Sequence, residues 1–554
     1  MTRPVDSRTD QFVDDVATSD PLAATAIGIP GYDHLLPDFS PDGFAAREEL
    51  VRSAVRDVEA LEPSDERETV ARDAFLERNR LELEKIDAGL ARHEVSVIAG
   101  ASQELREAFD LMGTDTAEEW EAIDARLAGI PAALDAYRAT LLEEAAAGRV
   151  VARRQYVEHA KQIQGWTRAG AGNYFTDLAA KAPEGVRDQV LARAEGASAA
   201  YAEFASFLES DLAPRGKDTD GVGREHYALA SRFFLGAAVD LEETYAWGWE
   251  ELKRIEDDMA ATAQRITPGG SVEDAVKVLD ADPARDCGSR EAFQEWMQEK
   301  SDRILADFNG VHFDIAEPIR NLACKVAPVN DGGAWYTPPS EDLSRPGTMW
   351  FSFTDDHEIY SAWRETTTVF HEGVPGHHLQ CAQAVYRADL LNRWQRLLCW
   401  VSGHGEGWAL YSERLMDELG YFDDPGDRLG FLDMQGFRAA RVIVDIGVHL
   451  GLTIPKDNPF GWRPGEVWNA ELVYEFMRAH SRMDDGSLRF EVNRYLGWPG
   501  QAPSYKVGER IWLEARAEAT ARAGTSFDLK AFHTAALDLG ALGLDPLKAA
   551  LARL

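Results

Sequence analysis

The sequence predicts a mainly α-helical protein in which a small β-sheet lies beside one helix of unusual chemistry. Apolar residues recur at helical spacing among Arg and Glu through most of the chain, which is typical of amphipathic helices. Two short stretches near residues 311 and 348 are β-branched and aromatic, as strands are. The third observation is the segment 366–380, where three histidines and one glutamate follow an apolar run.

Length and charge limit the classes of protein to consider. A chain of 554 residues is compatible with two or three domains or with one large helical enzyme. Its 58 basic and 95 acidic residues give a net charge of −37. This charge argues against nucleic acid and anionic membrane surfaces as partners, because both require basic patches.

The cysteines and the N-terminus bear on location. The four cysteines have no CxxC spacing and are typical of reduced, buried thiols. The N-terminal residues contain no apolar leader, and no later stretch has the apolar length of a membrane span. We therefore expect a cytoplasmic protein.

The first half of the chain predicts helices without a cluster of candidate ligands. A connection rich in Pro, Gly and Asp is expected at 20–43, and helices are expected over 8–19, 44–110, 115–147 and 149–214. The turn-rich segment 214–223 is the best candidate for a boundary. We predict an N-terminal helical lobe over 1–220, serving as scaffold and cleft wall, and a catalytic lobe over 221–554. The two are expected to interdigitate as one unit.

The middle of the chain predicts one long helix and the sheet. The helix is expected over 240–266, and the strands over 311–315 and 348–353. Between the strands, 335–339 reads as a stiff loop, because its two prolines cannot lie in a central strand. We expect the small sheet to form an edge of a cleft beside the motif helix.

The histidine-rich segment favours a zinc site. His371 followed by Glu372 is typical of a zinc hydrolase helix, in which the histidine binds metal and the glutamate acts as general base. The second histidine usually comes four residues later, but Pro375 stands there and His377 and His378 follow. Pro375 predicts a kink that carries a later histidine back toward the metal. Either His377 or His378 can be that ligand.

The helix predicted over 402–420 offers a third ligand. Glu406, Glu413 and Asp417 share one stripe of this helix. A zinc site with two histidines on one helix commonly takes Glu from a following helix, and Glu406, among Gly, Trp and Ala, is the candidate. Glu413 and His404 are candidates for partners that orient a ligand. Asp417 is better explained as part of a solvated face.

A charged stripe crosses an otherwise apolar helix further on. Arg438, Arg441, Asp445 and His449 are spaced by three, four and four residues. A helix that is apolar on most sides is buried, so its charges must face a partner, a cavity or water. Arg438 and Arg441 are candidates to clamp a substrate carboxylate, with His449 as a further contact and Asp445 as a supporting partner. A structural Arg–Asp network explains the stripe equally well.

Tyr505 follows Pro503 in a predicted loop before the final helical run. A tyrosine hydroxyl near a polarised carbonyl can stabilise an oxyanion, so Tyr505 is a candidate catalytic residue. The neighbouring Lys506 is a further candidate contact for the substrate.

Four segments together resemble one family. They are HEGVPGHHLQ at 371–380, EGWALYSERLMDELG at 406–420, RAARVIVDIGVH at 438–449 and RYLGWPGQAPSYKVGE at 494–509. This combination resembles the bacterial domain-of-unknown-function family 885. That family in turn resembles the gluzincin-like zinc metallopeptidases, whose third ligand is Glu and whose larger helical members enclose a deep cleft. The resemblance implies a large, mainly α, metallopeptidase-like fold with such a cleft.

Two functional hypotheses follow. In the first, the protein is a zinc-dependent hydrolase that cleaves amide bonds of short peptides or related small molecules. Zinc is then held by His371, by His377 or His378, and by Glu406. In the second, it is a binding protein for small molecules or peptides, with a peptidase-like fold but no working metal.

Overall fold

The computed structural model describes residues 3–170, 172–327, 333–353 and 359–553. These residues are 66% helix and 4% strand. The predicted fold class, mainly α with a small sheet, is therefore confirmed.

In the described residues there are 23 α-helices. In chain order they are α1 (Pro4–Ser19), α2 (Pro21–Ala26), α3 (Pro41–Glu59), α4 (Glu66–Asp87), α5 (Ala101–Glu107), α6 (Ala117–Ala146), α7 (Arg153–Trp166), α8 (Tyr174–Ala179), α9 (Arg187–Phe207), α10 (Arg224–Leu235), α11 (Leu241–Ile266), α12 (Val272–Asp280), α13 (Arg290–Phe308), α14 (Ala362–Glu372), α15 (His377–Tyr386), α16 (Arg393–Leu397), α17 (Ser402–Glu418), α18 (Pro425–Leu450), α19 (Ala470–Ala479), α20 (Asp485–Gly497), α21 (Ser504–Ala523), α22 (Leu529–Leu537) and α23 (Leu544–Leu551). The strands are β1 (Leu322–Val326), β2 (Gly333–Thr337) and β3 (Gly347–Ser352).

The chain divides into two compact units. The first comprises Met1–Ser64, Asn79–Val222 and Asn493–Trp498. The second comprises Asp65–Arg78, Gly223–Val492 and Pro499–Leu554. The second unit contains both halves of the histidine-rich segment.

The core of the first unit lies between α6 and α9. Buried residues of α6 are spaced by three and four, which gives the helix one apolar face; they are Trp120, Ile123, Leu127, Ile130, Leu134, Tyr137 and Leu141. Tyr137 stacks on Phe204 of α9, with ring centroids 5.8 Å apart. This pattern explains why the sequence predicted helices here.

In the second unit, α17 and α21 cross with their backbones in near contact. A Cβ atom added to Gly407 of α17 would lie 2.5 Å from the carbonyl carbon of Gly508 on α21. Only a pair of glycines leaves room for this crossing. Because α17 carries Glu406 and α21 carries Tyr505, the crossing sets how close these two side chains can come.

The sheet has the order β1–β3–β2. β1 is parallel to β3, and β2 is antiparallel to it. β2 contacts α14 and β3 contacts α15, so the sheet lies beside the helices of the motif.

The connection expected at 20–43 contains the short helix α2, which Asp20 caps by accepting from the N–H groups of Leu22 and Ala23. Three further local predictions were wrong. Residues 311–315 form a turn, an isolated bridge from Phe313 to Asn309 and an irregular segment rather than a strand. The ring of Phe313 is buried against Phe308 and His533, so the aromatic composition reflects ring packing. Residues 335–337 belong to β2 instead of a loop. This strand is at the edge of the sheet, and the prolines follow its last residue, which removes the conflict with strand pairing.

The third error concerns Tyr505, which is the second residue of α21 and does not lie in a loop. Pro503 occupies the position just before the helix, where a missing N–H group costs nothing. As for long apolar segments, no helix in the described part of the chain has both the length and the hydropathy needed to cross a membrane.

The crossing of α17 and α21 gives a prediction about stability. Gly407→Ala places a methyl group against main-chain atoms, which cannot move aside as a side chain can. We expect it to lower the free energy of unfolding by about 1–3 kcal/mol through overpacking. The measurement is denaturant unfolding of the purified variant.

Gly436→Ala on α18 is the matched control. Its new methyl group meets no atom nearer than 3.6 Å, an ordinary contact distance. We expect unchanged stability or a gain of up to about 1 kcal/mol, because alanine is the better helix former. Equal unfolding midpoints for Gly407→Ala and the wild type would show that the helices do not cross this closely.

Candidate metal centre

The histidine-rich segment forms two helices separated by a sharp turn. α14 ends at Glu372 and α15 begins at His377, so the break predicted at Pro375 is present. Within the turn, the N–H of Gly376 donates to the carbonyl oxygen of Phe370 at 3.1 Å. A Cβ atom on Gly376 would lie 1.9 Å from the carbonyl oxygen of His371. Glycine therefore allows the chain to fold back onto the end of α14.

The turn brings His377 next to His371, and α17 adds Glu406. The Nε2 atoms of both histidines lie 3.3 Å from Oε2 of Glu406. One donor atom from each of the three residues lies within 4.8 Å of the others. Four ligands arranged tetrahedrally about 2.0–2.2 Å from zinc are themselves about 3.4 Å apart. The donor types and their spacing therefore fit a single zinc ion.

His378 lies outside this group. Its Nε2 is 2.9 Å from the carbonyl oxygen of Ile319, and its Nδ1 is 3.0 Å from the hydroxyl of Tyr336 on β2. Burial lowers the pKa of His378 to about 4, so the ring is neutral and has one N–H group. The ring donates to Ile319 and accepts from Tyr336. Both nitrogens are then occupied, and the second ligand position falls to His377.

Glu413 orients His371 from behind. The Nδ1–H group of His371 donates to Oε1 of Glu413 at 2.7 Å. The other carboxylate oxygen accepts from the hydroxyl of Thr367 at 2.8 Å and from the side-chain amide of Gln435 at 3.3 Å. This arrangement directs Nε2 toward Glu406, as carboxylate partners of zinc-binding histidines do.

The charges of the cluster are tightly linked. Burial by itself would lower the pKa of His371, but hydrogen bonds to Glu406 and Glu413 raise it to about 9. Burial likewise opposes ionisation of Glu406, yet His377 and His371 lower its pKa below the ordinary range. Glu406 is therefore a carboxylate, and a metal ion that binds Nε2 of His371 must displace a proton.

Glu372 is a buried acid without a hydrogen bond on one oxygen. Its Oε2 atom has no partner among the described residues, although the residue is only 6% exposed. Burial raises its pKa, and the nearby charges of His371, His377 and Arg438 oppose the rise. A carboxylate of this kind beside a metal site is available to accept a proton.

Tyr505 packs against His371, the first candidate ligand. Its ring is nearly parallel to that of His371, with 6.4 Å between centroids. The guanidinium of Arg441 lies 4.9 Å from the centre of the Tyr505 ring and donates to Glu491 at 2.7 Å. The predicted candidate Tyr505 is therefore beside the cluster, held between a ligand and an arginine.

The carboxylate clamp predicted from Arg438 and Arg441 does not agree with this geometry. Arg441 is paired with Glu491. Arg438 donates to the carbonyl oxygen of Met434 at 3.2 Å and lies 3.9 Å from Glu413. Each guanidinium is matched by a protein carboxylate, so the alternative explanation, a structural network, fits better.

Lys506 belongs to a buried network of hydrogen bonds. Its side chain is 1% exposed, and its ammonium donates to Gln435 at 2.8 Å, to Glu251 at 2.9 Å and to Glu509. Gln435 contacts Glu413 in turn, so a buried chain of hydrogen bonds runs from Lys506 to the ligand His371. Gln435 could not be predicted from the sequence, because a single amide within a largely apolar helix carries no signal of its partners.

The remaining predicted residues lie elsewhere. Asp445 accepts from the hydroxyl of Tyr227 at 2.7 Å and from the N–H of Gly500 at 2.9 Å, and burial raises its pKa to about 7. His449 stacks on Tyr227 and lies 3.7 Å from Asp445. These residues hold the segment that leads into α21, so they support Tyr505 at a distance.

His404 does not orient a ligand histidine. Its Nδ1 accepts from the side-chain amide of Gln380 at 3.1 Å, and its ring packs against Trp512. Burial lowers its pKa to about 3. Its role is in the packing between α17 and α21.

The family of the chain follows from a sequence match over nearly its whole length. The family described as bacterial protein of unknown function (DUF885) matches residues 21–551. The chain belongs to the DUF885 family. No curated protein matches this DUF885 chain.

The fold is similar to that of two solved structures. One is called a putative lipoprotein from Colwellia psychrerythraea; it is 22% identical, with a TM-score of 0.85 over 99% of this chain and 98% of that one. The other is called a putative lipoprotein of unknown function from Shewanella oneidensis; it is 18% identical, with a TM-score of 0.71 over 98% of this chain and 99% of that one. At these identities the likeness concerns the fold of the DUF885 chain alone.

The different surroundings of His377 and His378 give a testable prediction about zinc binding. We expect about one zinc ion per wild-type chain after reconstitution, since the three donors form one site. His377→Ala removes a ligand and should lower the zinc content well below one. Elemental analysis after removal of unbound metal measures the stoichiometry.

His378→Gln, at the adjacent residue, is the matched control. It changes a residue bonded to Tyr336 and Ile319, so it should retain zinc even if stability falls. If His378→Gln loses zinc and His377→Ala keeps it, the assignment of the second ligand is wrong.

Proposed function

We propose that this DUF885 protein is a zinc-dependent hydrolase that cleaves amide bonds in short peptides or related small molecules. The observation that supports this most is the cluster of His371, His377 and Glu406, with spacing suited to one zinc ion. Two histidines and one glutamate are a common donor set of catalytic zinc, which keeps one coordination position open.

Zinc held there would supply Lewis acidity that polarises the carbonyl group to be attacked. Glu372 accepts a proton from the attacking water and passes it to the leaving amine. Burial raises its pKa above the ordinary value of a glutamate, which favours a group that must both accept and return a proton.

Tyr505 is the candidate residue for stabilising the charge that develops on the substrate carbonyl oxygen. Its ring is nearly parallel to that of His371, with 6.4 Å between the centroids, so Tyr505 lies beside the cluster. We infer that the Tyr505 hydroxyl donates to the oxyanion that develops on the substrate carbonyl. The contact with Arg441, itself tied to Glu491, fixes the ring in place.

Burial of the cluster supports a small or extended substrate. The side chains of His371, His377 and Glu406 are 3%, 7% and 13% exposed. A folded protein surface cannot reach donor atoms at this depth, whereas a short peptide can. The pairing of Arg438 and Arg441 with protein carboxylates removes the argument for an acidic end on that substrate.

Glu372→Gln tests the proposed base. The amide keeps the size of the side chain but cannot accept the proton, so we expect kcat to fall by about 10²–10⁴ while zinc remains bound. Peptide hydrolysis and zinc content are measured on the same preparation.

Glu365→Gln makes the same change about 10.5 Å earlier on α14 and should leave kcat within a few-fold of the wild type. Loss of zinc from Glu372→Gln would mean that Glu372 is a ligand. A wild-type protein that takes up no zinc would favour the binding-protein hypothesis.

A further inference from the structure

A tryptophan with half of its surface exposed lies against the candidate metal ligands. Trp400 is 49% exposed, and its ring centroid is 5.8 Å from that of His377. Other tryptophans of this unit, such as Trp408 and Trp512, are fully buried. A single exposed apolar residue is ordinary on a protein surface, so exposure alone means little.

The way in which Trp400 is held distinguishes it. A Cβ atom on Gly405 would lie 2.3–2.9 Å from the Cη2, Cζ3 and Cζ2 atoms of the indole. The six-membered ring therefore lies directly on the first turn of α17, one residue before Glu406. Glycine at 405 leaves space that the indole fills, and His377 contacts the ring as well. The position of the ring is set by the protein, while much of its surface stays open.

The glycines around Glu406 serve different contacts. Gly403 allows Leu235 and Leu544 to approach, and Gly407 allows α21 to cross. Both of those contacts are within the core. At Gly405 the nearest residue is Trp400, whose ring is exposed. Gly405 therefore makes room for a side chain at the surface and not only for core packing.

We propose that Trp400 forms the wall of a subsite that binds an apolar, preferably aromatic, side chain of the substrate next to the bond that is cut. The inference rests on the proposed amide hydrolysis and names the side chain that this site selects. An aromatic ring gains from offset or edge contacts with an indole in addition to the area it buries. The protein covers one side of the indole, and the substrate covers the exposed remainder.

The first experiment measures selectivity. Short peptides differ only in the residue beside the scissile bond, which is Phe, Leu, Lys or Ala on each side in turn. For the wild type, kcat/KM for Phe should exceed that for Ala by roughly tenfold or more, the usual worth of a filled apolar pocket. Trp400→Ala should reduce kcat/KM for Phe about tenfold and leave Ala nearly unchanged, while Trp400→Phe should keep most of the preference.

Two further variants control for exposure and position. Tyr386→Ala removes an aromatic residue that is 39% exposed on α15, about 13.5 Å along the helix from His377, and should change nothing. Gly405→Ala keeps the tryptophan but pushes the indole from its place, and should lower the preference for Phe as Trp400→Ala does.

Binding without turnover provides a second readout. In Glu372→Gln protein loaded with zinc, calorimetry should give a Kd for the Phe peptide about tenfold lower than for the Ala peptide, and Trp400→Ala in that background should remove the difference. Zinc content is measured for every variant.

The outcomes separate the two proposals. If no peptide is cleaved but the Phe preference in binding depends on Trp400, hydrolysis fails and the subsite stands. If peptides are cleaved and zinc is retained, but Trp400→Ala changes Phe and Ala equally, the subsite is wrong. A preference for Lys over Phe would also overturn it, because the indole would then be recognising a cation.

Discussion

The hydrogen bond from His371 to Glu413 is the interaction on which the site depends. Glu413 is fully buried, and its charge is tolerated because His371, Thr367 and Gln435 donate hydrogen bonds to it and the guanidinium of Arg438 lies 3.9 Å away. Removing one member of a buried charged pair typically costs about 3–5 kcal/mol, since the other is left uncompensated. The bond therefore fixes the direction of the His371 ring and joins α14 to α17, and the Gln435 amide adds α18 to the same carboxylate. The structural framework and the chemistry of the site cannot be varied independently.

A close helix crossing places further functional candidates beside this interaction. α17 supplies Glu406 and Glu413, and its contact with α21 through Gly407 and Gly508 brings Tyr505 and Lys506 alongside. The ammonium of Lys506 then balances Glu251 and Glu509 in the interior. Acidic side chains are abundant in this chain, and in the second unit several of them are used inside the protein, where they set the orientation and charge of functional groups.

Local patterns in the sequence predicted much of this, and long-range contacts account for the errors. The break at Pro375 could be predicted because proline acts on its own neighbours. The choice between His377 and His378 could not, since it depends on acceptors and donors at Ile319 and Tyr336. The role of Arg441 depends on its hydrogen bond to Glu491, which is fifty residues further along the chain. The strand expected at 311–315 failed because aromatic residues are equally favourable in a packed turn.

The bond between His378 and Tyr336 has a mechanical consequence. Two adjacent residues of α15 are committed to different parts of the protein, His377 to the cluster and His378 to β2, a strand at the edge of the sheet. Edge strands are paired on one side only and open more readily than central ones. Fraying of β2 would release the first turn of α15 and loosen one ligand. The time for which His377 stays in place therefore depends in part on how often the edge strand β2 unfolds locally.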